Sequence, residues 1–174
     1  MKKSIIASVV ALGMIGGTAH AAPEVIFSGA VSTTTCELAP SVNGSMPANQ
    51  VVTLATVAPN AEGAATTLTL KAVDPNDAGC KGLDDQKTIS VGWSGVNLGA
   101  LGFKANPGSV ADDAVVLLTA KNATQNAAIT ASTPSVDFAG GKLAAEGLQF
   151  DAKTKGGAKS GNFTSTASFT VAYK

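Results

Sequence analysis

The last fourteen residues of the chain, GNFTSTASFTVAYK, alternate in character up to the C-terminus. Phe163, Phe169, Val171 and Tyr173 share one face with small residues, and the opposite face is mostly polar. A repeat of two residues is typical of a β-strand with one buried face. Because free chain ends usually fray, this pattern indicates an end that is held in a sheet or recognised by a partner.

The N-terminus carries the three parts of a secretory signal peptide. Two lysines follow Met1, an apolar stretch covers residues 4–15, and the small-x-small tripeptide AHA ends at Ala21. The apolar stretch is too short to span a bilayer. We therefore predict a signal peptide over residues 1–21 and an exported mature chain.

The mature chain lacks histidine and arginine, two residue types that many catalytic, metal and nucleic-acid sites use. Its only histidine leaves with the signal peptide, arginine is absent, and ten lysines face twelve carboxylates, a net charge of about −2. Nucleic acid requires a basic surface, and zinc sites or catalytic triads require histidine or more cysteine. We therefore expect no enzyme activity, no metal, no cofactor and no nucleic-acid partner.

Cys36 and Cys80 are the two cysteines of the chain. An even number of cysteines in an exported protein indicates a disulfide. We expect this bond to join two neighbouring strands. In the chain-entropy model, closing a loop of this length stabilises the fold by roughly 4 kcal/mol.

Turn residues divide the mature chain into short strand candidates, and no segment shows a convincing 3.6-residue repeat. A turn is expected at Pro40 and another at Asn43-Gly44, and a single helical turn is expected near 61–65 or 144–147. Seven or so short strands predict a single all-β domain of immunoglobulin-like sandwich architecture. The candidate strands cover residues 25–35, 51–57, 66–73, 88–93, 114–120 (apolar enough for burial on both faces), 127–131, 147–150 and 163–173.

The alternating segments at both ends, with the two cysteines between them, resemble the pilin subunits of chaperone–usher fimbriae of Gram-negative bacteria. The similar features include Tyr173 in the penultimate position and Gly161, the fourteenth residue from the end. WSG at 93–95, LGF at 101–103 and FTSTASFTVAY at 163–173 are most similar to one subgroup. This subgroup comprises the major subunits of host-binding fimbriae of enterotoxigenic enteric bacteria.

The resemblance implies an incomplete immunoglobulin-like sandwich that lacks its last strand, which a neighbouring subunit supplies. Residues 22–35 would form the donor-strand segment leading into the first strand, and residues 36–174 would form the pilin domain. The implied donor-strand residues are Val25, Phe27, Gly29 and Val31. The implied groove-edge strand, along which a periplasmic chaperone docks, contains Gly161, Phe163, Phe169, Val171 and Tyr173.

The implied function is that of a major structural subunit of an adhesive fimbria. A periplasmic chaperone would deliver it to an outer-membrane usher, and identical subunits would polymerise by donor-strand exchange into a cell-surface fibre. The alternatives are a major subunit that itself binds host glycoconjugates, a minor adaptor subunit, and a complete sandwich that forms no polymer. Lys153, Lys155 and Lys159 are the candidate glycan contacts, and a solvated loop is the alternative explanation for their clustering.

Overall fold

The computed structural model describes residues 36–45 and 50–174. The predicted signal peptide and donor-strand segment lie outside these ranges. No helix within them is long and apolar enough to cross a membrane. The elements are β1 (Leu38–Val42), β2 (Thr66–Ala72), α1 (Ala78–Lys81), β3 (Thr88–Ser94), β4 (Phe103–Lys104), β5 (Val115–Ala120), β6 (Ser135–Ala139), α2 (Gly141–Ala145), β7 (Leu148–Lys155) and β8 (Ser168–Tyr173).

The strands form two sheets whose apolar faces share one core. One sheet has the order β1-β2-β7-β5-β4 and the other β6-β3-β8, and all the paired strands are antiparallel. Along β7 the side chains alternate between buried and half-buried positions, as expected for a strand with one face on the core. Trp93 and Phe138 of the smaller sheet meet Phe150 of the larger one edge-to-face. The predicted all-β sandwich is therefore confirmed.

The predicted disulfide between Cys36 and Cys80 is confirmed, with a Cα–Cα distance of 4.8 Å. The expectation that it joins two strands is wrong, because Cys80 lies in α1. This short helix is capped by Asp77, whose carboxylate accepts a hydrogen bond of 2.8 Å from the Gly79 amide and so satisfies one of the free amides of the first turn. The bond therefore fastens the start of the described domain to the connection between β2 and β3.

Several predicted boundaries differ from the structure. No turn occurs at Pro40, which lies within β1; an edge strand tolerates proline because one side needs no amide donor. The expected turn at Asn43-Gly44 is present, with positive φ angles of 50° and 86°. Residues 127–131 supply one isolated bridge through Ala128 instead of a strand, and β5 is half-buried over its first three residues rather than buried on both faces.

Two further differences concern helices and strands that the alternation did not identify. The helical turn predicted at 144–147 is α2, which begins earlier at Gly141, and residues 61–65 form no helix. Strand β6 was not predicted, and β7 continues five residues beyond the predicted end. Residues 51–57 are not a strand: within the described part of the chain they pair with no sheet.

Candidate functional site

A long groove opens beside the C-terminal strand, with a volume of about 1200 Å³. One side is formed by residues 50–59, here called the wall segment. The other side is formed by residues 161–167, the terminal segment, which continues into β8. The floor includes side chains of both sheets, namely Leu68, Trp93, Phe103, Leu118 and Phe169.

The groove floor is an extension of the hydrophobic core. The Trp93 ring lies 5.5 Å from the Phe169 ring and 6.4 Å from the Phe103 ring, measured between centroids. Trp93 is buried, so it supports the floor and does not offer a flat surface to a sugar. A ligand in this groove would therefore contact an apolar base of aromatic and aliphatic side chains.

One edge of the terminal segment is held by the loop formed by residues 104–113. The Asn106 amide donates to the Thr164 carbonyl at 2.7 Å, and the Val110 amide donates to the Asn162 carbonyl at 3.0 Å. The hydrogen bonds of an extended chain alternate from side to side, so the intervening residues direct their backbone groups the opposite way. Those residues, Phe163, Ser165 and Ala167, make no backbone–backbone hydrogen bond within 36–45 and 50–174.

Strand β8 continues the same alternation to the C-terminus. Thr88 and Lys174 exchange two backbone hydrogen bonds of 2.9 Å, and the register pairs Thr170 with Gly92. Even-numbered residues therefore bond to β3, and Val171 directs its amide and carbonyl away from β3. Together with the terminal segment, the odd-numbered residues from 163 to 173 form one continuous free strand edge along the groove.

The wall segment presents the same kind of edge from the other side. Residues 50–57 form no backbone–backbone hydrogen bond with any other described residue, whereas Val52 and Leu54 pack against the core. Backbone hydrogen bonding to another segment resumes at Asn60, whose amide donates to the Gly157 carbonyl at 2.8 Å. The groove thus combines an apolar floor with unpaired backbone groups along both sides, which suits an extended strand with apolar side chains at alternate positions.

Gly161 marks the start of the groove edge, and its position strongly favours glycine. Its φ of +143° lies in a region that other residues rarely adopt. A Cβ atom built there would lie 2.4 Å from Cγ1 of Val110. The terminal segment can therefore run beside the 104–113 loop because this residue has no side chain.

Tyr173 connects the last strand to the first described residue. Its hydroxyl donates a hydrogen bond to the carbonyl of Cys36, and burial raises its pKa to about 12. The hydroxyl is therefore neutral and able to donate at any physiological pH. The contact fixes the end of β8 beside the disulfide.

The three lysines proposed as glycan contacts occupy different settings. Lys153 and Lys155 lie on the outward face of β7, and Lys159 follows in the next loop. Lys155 is paired with Glu62 at 3.1 Å. Lys159 is paired with Asp112 at 2.8 Å, and this hydrogen bond raises the pKa of the ammonium group. A glycan role for these lysines stays a prediction.

The structure brings the predicted groove-edge residues together but leaves the donor residues outside its description. Phe163 and Phe169 line the groove, and Val171 and Tyr173 continue the edge. Two further parts of the site, the wall segment and the 104–113 loop, were not predicted. The wall segment carried a signal in its alternation, VVTLATV, which was interpreted as a paired strand.

A two-layer all-β fold with an open groove beside its last strand is an incomplete immunoglobulin-like sandwich. No family model matches the chain. The chain is 40% identical to the F107 fimbrial protein of Escherichia coli over 176 residues, covering 100% of both chains. It is similar in structure to the P pilus rod subunit PapA, with a TM-score of 0.54 and 16% sequence identity over 87% of this chain and 100% of that chain.

The full-length identity of 40% shows that the chain belongs to the chaperone–usher fimbrial pilin family. The structural likeness, at much lower sequence identity, supports the incomplete immunoglobulin-like fold alone. The proteins to which the chain is similar are structural subunits and not enzymes.

Proposed function

We propose that the protein is the major structural subunit of an adhesive, cell-surface fimbria and that it polymerises by donor-strand exchange. The observation that supports this most is the groove, whose floor is apolar and whose two sides offer free backbone groups. An open sheet edge of this kind promotes aggregation unless another strand covers it. A periplasmic chaperone covers it first, and the N-terminal segment of the next subunit replaces the chaperone at the outer-membrane usher.

The proposed donor strand is residues 22–35, whose alternation matches the requirement of the groove. Val25, Phe27 and Val31 would place three apolar side chains on the floor. At roughly 1.5–3 kcal/mol for each buried side chain, they would contribute about 5–9 kcal/mol before ordering costs. Gly29 lies on the same face and would fit where the groove is too shallow for a side chain.

The direction of the inserted strand follows from the position of Cys36. Because Tyr173 contacts Cys36, the donor segment of each subunit leaves the domain at the Tyr173 end of the groove. If the strand were inserted parallel to β8, Cys36 of the donor subunit would lie at the Tyr173 end of the acceptor's groove, where the acceptor's own donor segment begins. If the strand is antiparallel to β8, Cys36 of the donor subunit lies at the Gly161 end of the acceptor's groove. The acceptor's own segment then stays free, so that head-to-tail addition continues without closing.

The test is to produce the mature chain with and without a pilin chaperone and to examine the product for fibres by electron microscopy. The matched variant lacks residues 22–35 and keeps the complete described domain. We expect chaperone-dependent fibres from the mature chain. From the shortened chain we expect a stable chaperone complex and no fibres, and fibres from it would overturn the proposed mechanism.

The alternative of a glycan-binding major subunit has a weaker basis. Two of its three candidate contacts, Lys155 and Lys159, are already paired with carboxylates. Binding an acidic sugar there would require breaking those pairs. We therefore assign the protein a structural role.

A further inference from the structure

The root of the donor segment lies beside an exposed apolar side chain. The Val73 amide donates to the carbonyl of Glu37 at 2.8 Å, next to the disulfide-bonded Cys36. Val73 follows β2 and is 49% exposed. We call the surface around Cys36 and Val73 the root end of the subunit.

The opposite end of the groove carries a second exposed valine. Val110 is 67% exposed, although its backbone is fixed by its hydrogen bond to Asn162 and its side chain adjoins Gly161. The Ala111 amide also donates to the Asn162 carbonyl, at 3.3 Å. We call this surface the mouth end. Its valine is fixed in position through its backbone at the entrance to the groove, and about two thirds of its surface is exposed among the described residues.

The two valines cannot meet within one subunit. Gly161 adjoins Val110, whereas Tyr173 contacts Cys36 at the root end. An extended chain rises about 3.3 Å per residue, so the terminal segment and β8 separate the two ends by about 40 Å. A contact between the two valines therefore requires two molecules.

If donor-strand exchange operates as proposed, the length of the donor segment determines which surface of the acceptor subunit lies near Val73. Four residues separate Val31, the last proposed groove contact, from Cys36. Even when fully extended, this linker spans at most about 18 Å. With the strand antiparallel to β8, the root end of the donor subunit then lies within about 18 Å of the mouth end of the acceptor.

We propose that Val73 of the donor subunit packs against Val110 of the acceptor subunit and closes the joint between consecutive subunits. The partner is a second copy of this chain, and the contact is continuous with the filled groove. An inserted strand with a free linker would act as a hinge between subunits. The additional apolar contact restrains that hinge and stiffens the fibre.

Disulfide trapping tests the contact directly. Subunits carrying Val73→Cys are mixed with subunits carrying Val110→Cys, assembled into fibres and oxidised, and the products are mapped by mass spectrometry after digestion. We expect crosslinked dimers at most of the joints in which the Val73→Cys subunit is the donor and the Val110→Cys subunit is the acceptor. The matched control replaces Val110→Cys by Val96→Cys, which is more exposed, at 96%. Val96 lies at the same end of the subunit, next to Asn97, whose side chain donates to Asn106 at 3.3 Å. Because the proposed contact is specific to position 110, the control should give at least tenfold less crosslink.

A second pair of variants measures the consequence for the fibre. Val110→Asp should give shorter, more flexible fibres, whereas Val96→Asp should leave their length and stiffness unchanged. Equal crosslinking of positions 96 and 110 to position 73, in fibres that form normally, would overturn the Val73–Val110 contact and leave donor-strand exchange standing. Failure of the unmodified chain to form any fibre would instead refute the proposed function, and this inference with it.

Discussion

Replacing Gly161 by alanine tests how tightly the groove edge is built. The added Cβ would lie 2.4 Å from Cγ1 and 2.7 Å from Cβ of Val110, whose backbone is fixed by Asn162. The positive φ costs about 1–3 kcal/mol for a residue other than glycine, and forcing an extra carbon into occupied space costs another 1–3 kcal/mol. We therefore expect Gly161→Ala to lower the free energy of unfolding by about 2–6 kcal/mol.

Gly108→Ala is the matched control for this substitution. Gly108 also has a positive φ, 87°, and lies in the same loop as Val110, but a Cβ there would meet no atom within 4 Å. It therefore carries the conformational cost alone, about 1–3 kcal/mol.

The assay is urea unfolding of each subunit with its groove filled by a peptide of residues 22–35. The difference between the two variants isolates the clash at the groove edge. We also expect Gly161→Ala to slow uptake of the peptide, because moving Val110 displaces the mouth of the groove. Equal losses of stability in the two variants would show that Val110 shifts to accommodate the added Cβ, and that the mouth of the groove is not rigid.

Three further predictions concern the ends of the domain and the donor strand. Replacing Cys36 and Cys80 together by serine should lower the free energy of unfolding by roughly 4 kcal/mol, and an unchanged urea midpoint would contradict this. Because the folded pKa of Tyr173 is raised to about 12 from about 10 in the unfolded chain, its contribution to stability should be complete below pH 10 and decrease as the pH rises to 12. Tyr173→Phe should remove the part of this dependence that comes from the phenol, and tyrosinate absorbance measures the pKa directly since the chain has one tyrosine. A peptide of residues 22–34 with Gly29→Leu should displace a bound chaperone far more slowly than the unsubstituted peptide; equal rates would exclude Gly29 from the donor strand.

The parts of the fold that were predictable are those whose information is local. Strands β2 and β3 lie within one residue of their predicted limits because their alternation is unbroken, and the turn at Asn43-Gly44 follows from residues that tolerate positive φ. The prediction was wrong at 51–57, since alternation indicates an extended chain with one buried face but does not indicate a pairing partner. Strand β6 was missed because its five residues are too few to establish a repeat.

The candidate site was predictable in part for the same reason. Alternation and the resemblance identified Phe163 and Phe169 on the groove edge, but sheet pairing begins only at Ser168. What holds the preceding residues in place is a set of hydrogen bonds such as that between Asn106 and Thr164, which are 58 positions apart. Contacts across such separations depend on the completed fold, and no local pattern in the 104–113 loop predicts them.

The residues of β8 that supply the free edge also support the core, and this limits how docking can be tested. The side chains of Phe169, Val171 and Tyr173 pack against the core, and the backbone groups of the same residues form the free edge. Alanine substitutions there would weaken folding and docking together. Substitutions that change the edge through the backbone are therefore needed.

Proline substitution separates the two roles. Val171→Pro removes an amide that faces the free edge, which edge strands tolerate, and keeps an apolar side chain against the core. The subunit should therefore still fold against β3 but lose affinity for the chaperone and for the donor peptide. Thr170→Pro removes an amide that pairs with Gly92 and should prevent folding instead. Circular dichroism reports the fold, and co-purification with the chaperone reports docking. If folded Val171→Pro subunit still bound the chaperone as tightly as the unsubstituted subunit, the free edge of β8 could not be the docking surface.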